Sequence, residues 1–161
     1  MEYIQLFQKL EPEKIRYLIY GGLAVNIYGI PRMTADIDIL LDFTDENLEK
    51  FETSIKVLKY QSMIPLSIRT FVSKKEREKA ISEKNLIAYS YFNSLSNYMN
   101  LDVLIDAPFL FDDMWKEKEE RLVEGISVNI VSVNHLIAMK QYSNRKQDID
   151  DVILLSKLPK K

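Results

Sequence analysis

Cysteine is absent from this 161-residue sequence, which excludes disulfide bonds and thiolate metal sites. Histidine occurs once, at His135, and we interpret it as incidental, because neither a histidine-based metal site nor a Ser-His-Asp triad can be assembled around it. No apolar run approaches the roughly 20 residues of a membrane span. The net charge is −2, so the surface as a whole is not suited to holding nucleic acid. These absences predict a cytoplasmic protein with no membrane partner.

Glycine is also scarce, with four residues in the chain, and two of these are adjacent at Gly21 and Gly22. Hydrophobic residues make up 47% of the sequence and charged residues 29%, which is typical of a globular protein. A chain of this length can bury one substantial core. We therefore expect a single domain over residues 1–161.

Hydrophobic spacing and turn signals predict alternating helices and strands along the chain. Helices are expected over 3–10, 23–29, 44–60, 73–84, 134–143 and 148–158. Strands are expected over 15–20, 37–42, 66–72, 86–92 and 98–106, with a hairpin over 121–132 that turns near Gly125. The alternation predicts an α/β (mixed α+β) class, in which helices flank a mixed twisted sheet.

Two carboxylates, Asp36 and Asp38, lie within an apolar strand pattern. Side chains alternate along a strand, so both acids share one face, about 6–7 Å apart, while Ile37 and Ile39 point into the core. Two like charges this close repel each other unless a cation lies between them. The pair is therefore either a set of exposed acids at a strand edge or a site for Mg²⁺, which prefers oxygen ligands.

A third acid, Asp102, lies in a later apolar strand between Leu101 and Val103. If that strand is next to the strand of Asp36 and Asp38, three carboxylates converge, and such a set can hold two metal ions about 3.5–4 Å apart. Asp106 is the competing candidate. It precedes an Ala-Pro pair, so we interpret it as a turn residue at the strand end.

The Gly21–Gly22 pair lies where a strand is predicted to pass into a helix. Backbone without side chains admits phosphate oxygens there, although a simple tight turn would also use glycine. Arg32 either reaches a phosphate or is solvated, and Lys140 either meets a triphosphate or pairs with Asp148. Asp148 and Asp151 share one helix face, which is typical of a charge cluster at a helix end.

Together these motifs resemble the signature of the DNA polymerase beta-like nucleotidyltransferase superfamily: a Gly-Gly pair, a thirteen-residue spacer, "DIDI" and a later strand aspartate. Within it, "GGLAVNIYGIPRMTADIDIL" is similar to a small bacterial branch that includes AbiE-type toxins and aminoglycoside nucleotidyltransferase-like proteins. The segment "MKQYSNRKQDIDDVILL" resembles that branch's helical Lys followed by Arg-Lys-x-Asp-x-x-Asp. Residues 51–97 lie outside the resemblance.

The resemblance implies a nucleotidyltransferase fold and a division of roles. Gly21 and Gly22 would hold a nucleoside triphosphate, and Asp36, Asp38 and Asp102 would bind Mg²⁺, with Asp102 also available as general base. The candidates Arg32 and Lys140 complete the nucleotide-binding set. The resemblance also implies that Asp148 and Asp151 form part of the rear wall of the site, as an alternative to a charge cluster at a helix end. The implied reaction transfers a nucleoside monophosphate to a hydroxyl of a small molecule, RNA or protein and releases pyrophosphate. The rival is a non-catalytic nucleotide-binding or partner-binding module, such as a toxin–antitoxin component, that retains the fold.

Overall fold

The structure, a computed structural model, describes residues 3–94 and 99–159. Seven strands form one mixed sheet: β1 (Tyr17–Ile19), β2 (Asp36–Leu41), β3 (Tyr60–Ser62), β4 (Ala88–Asn93), β5 (Asn100–Leu104), β6 (Glu119–Val123) and β7 (Ile126–Ile130). The helices are α1 (Ile4–Leu10), α2 (Gly21–Ile27), α3 (Asp45–Val57), α4 (Lys74–Lys84), α5 (Phe111–Lys116), α6 (Val133–Ser143) and α7 (Lys146–Leu155). The predicted mixed sheet with flanking helices is confirmed.

The strand order β3-β4-β5-β2-β1-β7-β6 places β5 directly beside β2, although β3 and β4 lie between them in sequence. β2 runs parallel to β5, and β1 runs parallel to β7. The other neighbouring strands pair antiparallel. This order brings the strand with Asp36 and Asp38 next to the strand with Asp102.

One face of the central strands is buried in the hydrophobic core. Ile37 and Ile39 of β2 and Leu101 and Val103 of β5 are each fully buried on that face. Strand alternation directs the intervening aspartates to the opposite face. The same apolar residues that stabilise the sheet therefore fix the direction in which the carboxylates point.

The segment 66–72 was predicted as a strand, and that prediction is wrong. Residues Ile68–Val72 form a 3₁₀ helix, and the hydroxyl of Ser67 accepts the backbone N–H of Arg69 at its start. Ile68 and Phe71 are three residues apart and both buried, which is the spacing of one helical turn. Burial of these two side chains outweighs the strand preference of the local sequence.

One further difference concerns the sheet. The short β3 was not predicted, and it pairs antiparallel with the end of β4. The strand expected over 98–106 is confirmed over β5, while its first residue, Tyr98, lies outside the described residues. The predicted hairpin is confirmed as β6 and β7, joined by Glu124 and Gly125, both at positive φ. Within residues 3–94 and 99–159, no helix has the length and apolarity needed to cross a membrane.

Candidate active site

The glycine pair begins α2, directly against the β2 carboxylates. Gly21 has φ +67°, and a Cβ atom added there would lie 2.8 Å from Cγ of Asp38 and closer still to Oδ2. A Cβ on Gly22 would lie 2.9 Å from Oγ1 of Thr34 and closer still to the guanidinium of Arg32. Glycine is required at both positions because polar side chains of the candidate site pack on the bare backbone.

Five polar residues form a row across the open face of the sheet: Tyr20, Asp36, Asp38, Ser90 and Asp102. Tyr20 follows β1, and its N–H donates to the carbonyl of Asp38 at 3.0 Å. Asp38 lies directly opposite Asp102 on β5, and Asp102 lies opposite Ser90 on β4. Asp36 is two residues before Asp38 on the same face. Neighbouring strands are about 4.8 Å apart, so this register brings the three predicted carboxylates together.

The carboxylates of this row repel one another. Burial, followed by the negative charges of Asp102 and Asp36, raises the pKa of Asp38 to about 6. Burial and the charge of Asp102 also raise the pKa of Asp36. Burial and the charges of Asp38 and Asp102 raise the pKa of Tyr20 well above its usual value, so its phenol stays protonated at neutral pH. The row is therefore an electronegative cluster of oxygen atoms.

The chemistry of this cluster suits a hard divalent cation, because carboxylate oxygens are the ligands that Mg²⁺ prefers. In the part of the chain that the structure describes, no three His, Cys, Asp or Glu side chains are arranged as a group that could hold a metal ion. The pKa values of Asp36 and Asp38 are raised first by burial and then by neighbouring negative charge, and both effects disfavour the ionised carboxylates. Asp36, Asp38 and Asp102 fit the cation in donor type and charge, and the register of β2 with β5 places them on one face of the sheet.

A buried ion-pair network lies beside the row and joins distant parts of the chain. Lys140 of α6 donates to Asp151 at 2.6 Å and to Asp148 at 3.2 Å. Nε of Arg32, in the loop before β2, lies 2.9 Å from the carboxylate of Asp151. Pairing of Lys140 with Asp148, one of the two alternatives from the sequence, is thus observed. A contact of Lys140 or Arg32 with a nucleotide stays a prediction.

Arg145 marks the exposed side of the same network. Its Nε donates to Asp148 at 2.9 Å, while 75% of its side chain is exposed. Burial would raise the pKa of Asp148, but hydrogen bonds from Ser143, Arg145 and Lys140 outweigh burial and lower the pKa to about 2. Asp148 is therefore a permanent anion that holds two cations in place.

The remaining predicted residues lie apart from the row. Asp106 is exposed and lies beyond the end of β5, four residues after Asp102, where it lines a different cavity with Arg77 and Phe109. Four residues of extended strand span about 13 Å, which separates Asp106 from the carboxylates. His135 contacts the hydroxyl of Ser132 at 3.0 Å and the ring of Phe109, and these contacts are sufficient to give the histidine a structural role.

Sequence reasoning missed three residues of this region: Tyr20, Ser90 and Arg145. Tyr20 directly precedes the glycine pair, and strand alternation alone could have placed it on the face opposite Ile19. Ser90 could not have been found in this way, because its position depends on β4 pairing with β5. The C-terminal motif contains Arg145, but the exposure of this side chain beside a buried anion is visible only in the fold.

Solved structures of known proteins share this fold. The lincosamide antibiotic adenylyltransferase LnuA, bound to lincomycin, is 15% identical with a TM-score of 0.67, over 98% of this chain and 96% of that chain. ANT(2″)-Ia, in complex with adenylyl-2″-tobramycin, is 14% identical with a TM-score of 0.61, over 94% and 84%. An antigenic nucleotidyltransferase-like protein from Paracoccidioides brasiliensis is 16% identical with a TM-score of 0.58, over 96% and 74%. These likenesses establish the nucleotidyltransferase fold.

The family of the chain follows from its sequence profile. Among curated protein sequences, none matches the chain significantly. The profile of one family, described as nucleotidyl transferase AbiEii toxin of type IV toxin–antitoxin systems, matches residues 5–150. That range contains the glycine pair, the three strand aspartates, Lys140, Arg145 and Asp148. The chain is therefore a nucleotidyltransferase and belongs to the AbiEii nucleotidyltransferase toxin family.

Proposed function

We propose that this protein is a Mg²⁺-dependent enzyme that transfers a nucleoside monophosphate from a nucleoside triphosphate to an acceptor hydroxyl and releases pyrophosphate. The observation that carries the proposal is the direct register of Asp38 with Asp102 across two parallel strands. Asp36 lies at the next position on the same face. Carboxylates placed in this way are suited to phosphoryl transfer, where positioning and charge neutralisation supply most of the catalysis.

Asp36, Asp38 and Asp102 are the residues that would hold Mg²⁺. When bound, the ion would neutralise the carboxylates and the charge that develops on the leaving pyrophosphate oxygen. The two pKa values, raised by burial and by neighbouring negative charge, support this assignment, because an opposite charge would favour the ionised form of both carboxyl groups. The three acids provide enough ligands for either one ion or two.

The nucleotide-binding residues of the proposal surround the beginning of α2. Gly21 and Gly22 present backbone without side chains, so a triphosphate can approach it closely. Arg32 packs against Gly22 and pairs with Asp151. Lys140 pairs with the same carboxylate of Asp151. In the proposal both cations lower the cost of bringing phosphate charge to this turn.

Asp102 is the proposed general base. The acceptor oxygen forms a bond to the α-phosphorus, and its proton passes to the Asp102 carboxylate. The bond from the α-phosphorus to the bridging oxygen then breaks, and its electron pair leaves with pyrophosphate. Asp38 occupies one side of Asp102, so we propose that the acceptor hydroxyl approaches from the other side, over Ser90.

The proposal is tested by label transfer. The full chain is incubated with each of the four α-labelled nucleoside triphosphates, Mg²⁺ and cell extract, and the RNA, protein and small-molecule fractions are then separated. We expect label in one fraction, with release of pyrophosphate. The combined variant Asp36→Asn/Asp38→Asn should transfer no label while melting as a folded protein. Equal transfer by the variant, or none by the wild type with any of the four nucleotides, would refute the proposal.

A second candidate function follows from the family description, which names a toxin of a type IV toxin–antitoxin system. In this alternative the chain retains the fold as a non-catalytic nucleotide-binding or partner-binding module. Induced expression in a bacterial host separates the two. Growth arrest by the wild type but not by Asp36→Asn/Asp38→Asn supports a toxic transferase, whereas equal arrest by both supports the binding module. Organisation as a single domain and cytoplasmic location remain predictions.

A further inference from the structure

The ion-pair network beside the carboxylate row carries three cations and two anions. Lys140 is 5% exposed, and the side chain of Arg32 is 14% exposed. Both contact the buried carboxylate of Asp151, and Lys140 also contacts Asp148. Arg145 is the third cation, and its side chain is 75% exposed. The surplus positive charge of the network is therefore presented to solvent by Arg145.

Arg145 is held in place by a partner that does not depend on it. Asp148 is already bound by Lys140 and by the hydroxyl of Ser143. An exposed ion pair stabilises a fold only weakly, and Asp148 keeps these two partners without Arg145. The bond to Asp148 uses Nε, one of the five N–H donors of a guanidinium group. Asp148 thus orients a guanidinium that has further donors for another ligand.

The guanidinium of Arg145 acts electrostatically on the open face of the sheet. The pKa of Arg145 is raised first by its hydrogen bond to Asp148, and further by the charges of Asp38 and Tyr20. The positive charge of Arg145 in turn lowers the pKa of Asp38, against the larger effects of burial and of Asp102 and Asp36. Contacts link the cation to the glycine turn as well. Arg145 and Lys140 share the carboxylate of Asp148. Lys140 and Arg32 share the carboxylate of Asp151, and Arg32 packs against Gly22.

We propose that Arg145 binds the polyphosphate group of the nucleotide and the pyrophosphate that leaves, and that Asp148 and Lys140 are positioning residues that orient it. The inference rests on the proposed function and assigns a residue to the leaving-group side of that site. Arginine suits this role because its planar guanidinium can donate two parallel hydrogen bonds to one phosphate group. The row alone would repel a polyphosphate, because its charged groups are the three carboxylates Asp36, Asp38 and Asp102.

The test is a binding measurement on the full chain. Calorimetry with inorganic pyrophosphate, with the four nucleoside triphosphates and with the monophosphates, each with Mg²⁺, compares wild type, Arg145→Gln and Arg145→Lys. We expect Arg145→Gln to weaken binding of pyrophosphate and of the preferred triphosphate by about 10-fold or more, because a charge-assisted hydrogen bond is lost. Binding of the monophosphate should change little. The pyrophosphate affinity of Arg145→Lys should lie between those of Arg145→Gln and the wild type, because lysine keeps the positive charge but cannot donate two parallel hydrogen bonds to one phosphate group.

Arg69→Gln is the matched control. Arg69 also donates Nε to a carboxylate at 2.9 Å, that of Asp45, but it belongs to the 3₁₀ helix beside α3. The control should bind pyrophosphate like the wild type. Equal pyrophosphate affinity for Arg145→Gln and wild type would overturn the inference, as would a wild type that binds no pyrophosphate. If Arg145→Gln does not fold, Arg145→Lys decides by the same criteria.

The two proposals fail in different ways. Pyrophosphate binding that depends on Arg145, without any label transfer, would leave the inference standing and refute the proposed reaction. Label transfer by Arg145→Gln with an unchanged KM for the triphosphate would leave the reaction standing and refute the inference. A purely structural role for Arg145 predicts a lower melting temperature with unaltered pyrophosphate affinity, which also counts against the inference.

Discussion

The carboxyl group of Asp38 packs against the backbone of Gly21 so closely that a Cβ atom on residue 21 would lie 2.8 Å from Cγ of Asp38. The glycine also has φ +67°, a conformation that residues with a side chain rarely adopt. One position of the chain thus sets both the turn into α2 and the position of a carboxylate in the candidate active site.

The first prediction concerns this contact. Gly21→Ala should lower the free energy of unfolding by about 3 kcal/mol or more, because left-handed backbone strain adds to the clash with Asp38. Gly125→Ala is the control, since Gly125 has φ +82° and no atom within 4 Å of an added Cβ. Gly125→Ala should lower the free energy of unfolding only by the cost of left-handed backbone strain, about 1 kcal/mol. Equal losses in urea denaturation would show that the Asp38 contact is not tight.

The second prediction concerns pH and the metal-free protein. The pKa of Asp38 is about 6 in the fold and 3.8 in the unfolded reference, so the folded state binds more protons between these values. Its stability should therefore fall as pH rises from about 4 to 6, by up to about 3 kcal/mol, and then level off. Asp148 does not contribute there, because its lowered pKa affects stability only below about pH 4.

Asp38→Asn isolates this effect. In EDTA, the variant should lack most of the decline between pH 4 and 6 and should be more stable than the wild type at pH 7.5, since one repelling charge is removed. Thermal melts across the pH range give the measurement. A wild type whose stability rises over this window would contradict the assigned repulsion.

The third prediction separates Asp102 from its competitor. Asp102→Asn should reduce turnover by about 10²-fold or more, because a proposed base and ligand is lost while the size of the side chain is kept. Binding of the triphosphate should fall much less, since Asp36, Asp38 and the glycine turn remain. Asp106 lies beyond the end of β5 and outside the row, so Asp106→Asn should retain full turnover. A larger loss for Asp106→Asn would assign the third carboxylate to that residue.

The fourth prediction concerns the buried cation. Lys140→Met should lower the free energy of unfolding by about 3–5 kcal/mol, because Asp148 and Asp151 then lose a buried partner. Adding Asp151→Asn to this variant should recover part of the loss. Lys146→Met, at an exposed position six residues later, should stay within about 0.5 kcal/mol of the wild type. Equal stability of both methionine variants would show that the network contributes nothing.

The sequence was informative wherever a local pattern determines the outcome. Alternation in β2 predicted that Asp36 and Asp38 share the face opposite Ile37, and the structure confirms it. Alternation cannot predict which strands are neighbours. The approach of Asp102 depends on β5 lying beside β2 although β3 and β4 come between them in the chain, and it was expected only conditionally and through the family resemblance.

Long-range burial explains what was missed. The 3₁₀ helix at Ile68–Val72 has strand-like residues, and only the core that receives Ile68 and Phe71 decides its conformation. Likewise, Lys140 could be assigned either to phosphate or to Asp148. The two residues lie in different helices, and only the packing of α6 against α7 shows that the side chains meet, at 3.2 Å. Exposure, which distinguishes Arg145 from Lys140, is not encoded in any local pattern.

The bond between Arg32 and Asp151 joins residues 119 positions apart in the chain. During synthesis the glycine turn, Arg32 and all three strand aspartates are added before Lys140, Arg145 and Asp151. A chain that ends before residue 140 therefore lacks two of the three cations of the network, and Arg32 lacks its carboxylate partner. The complete set of matched charges beside the carboxylates exists only once synthesis has passed residue 151.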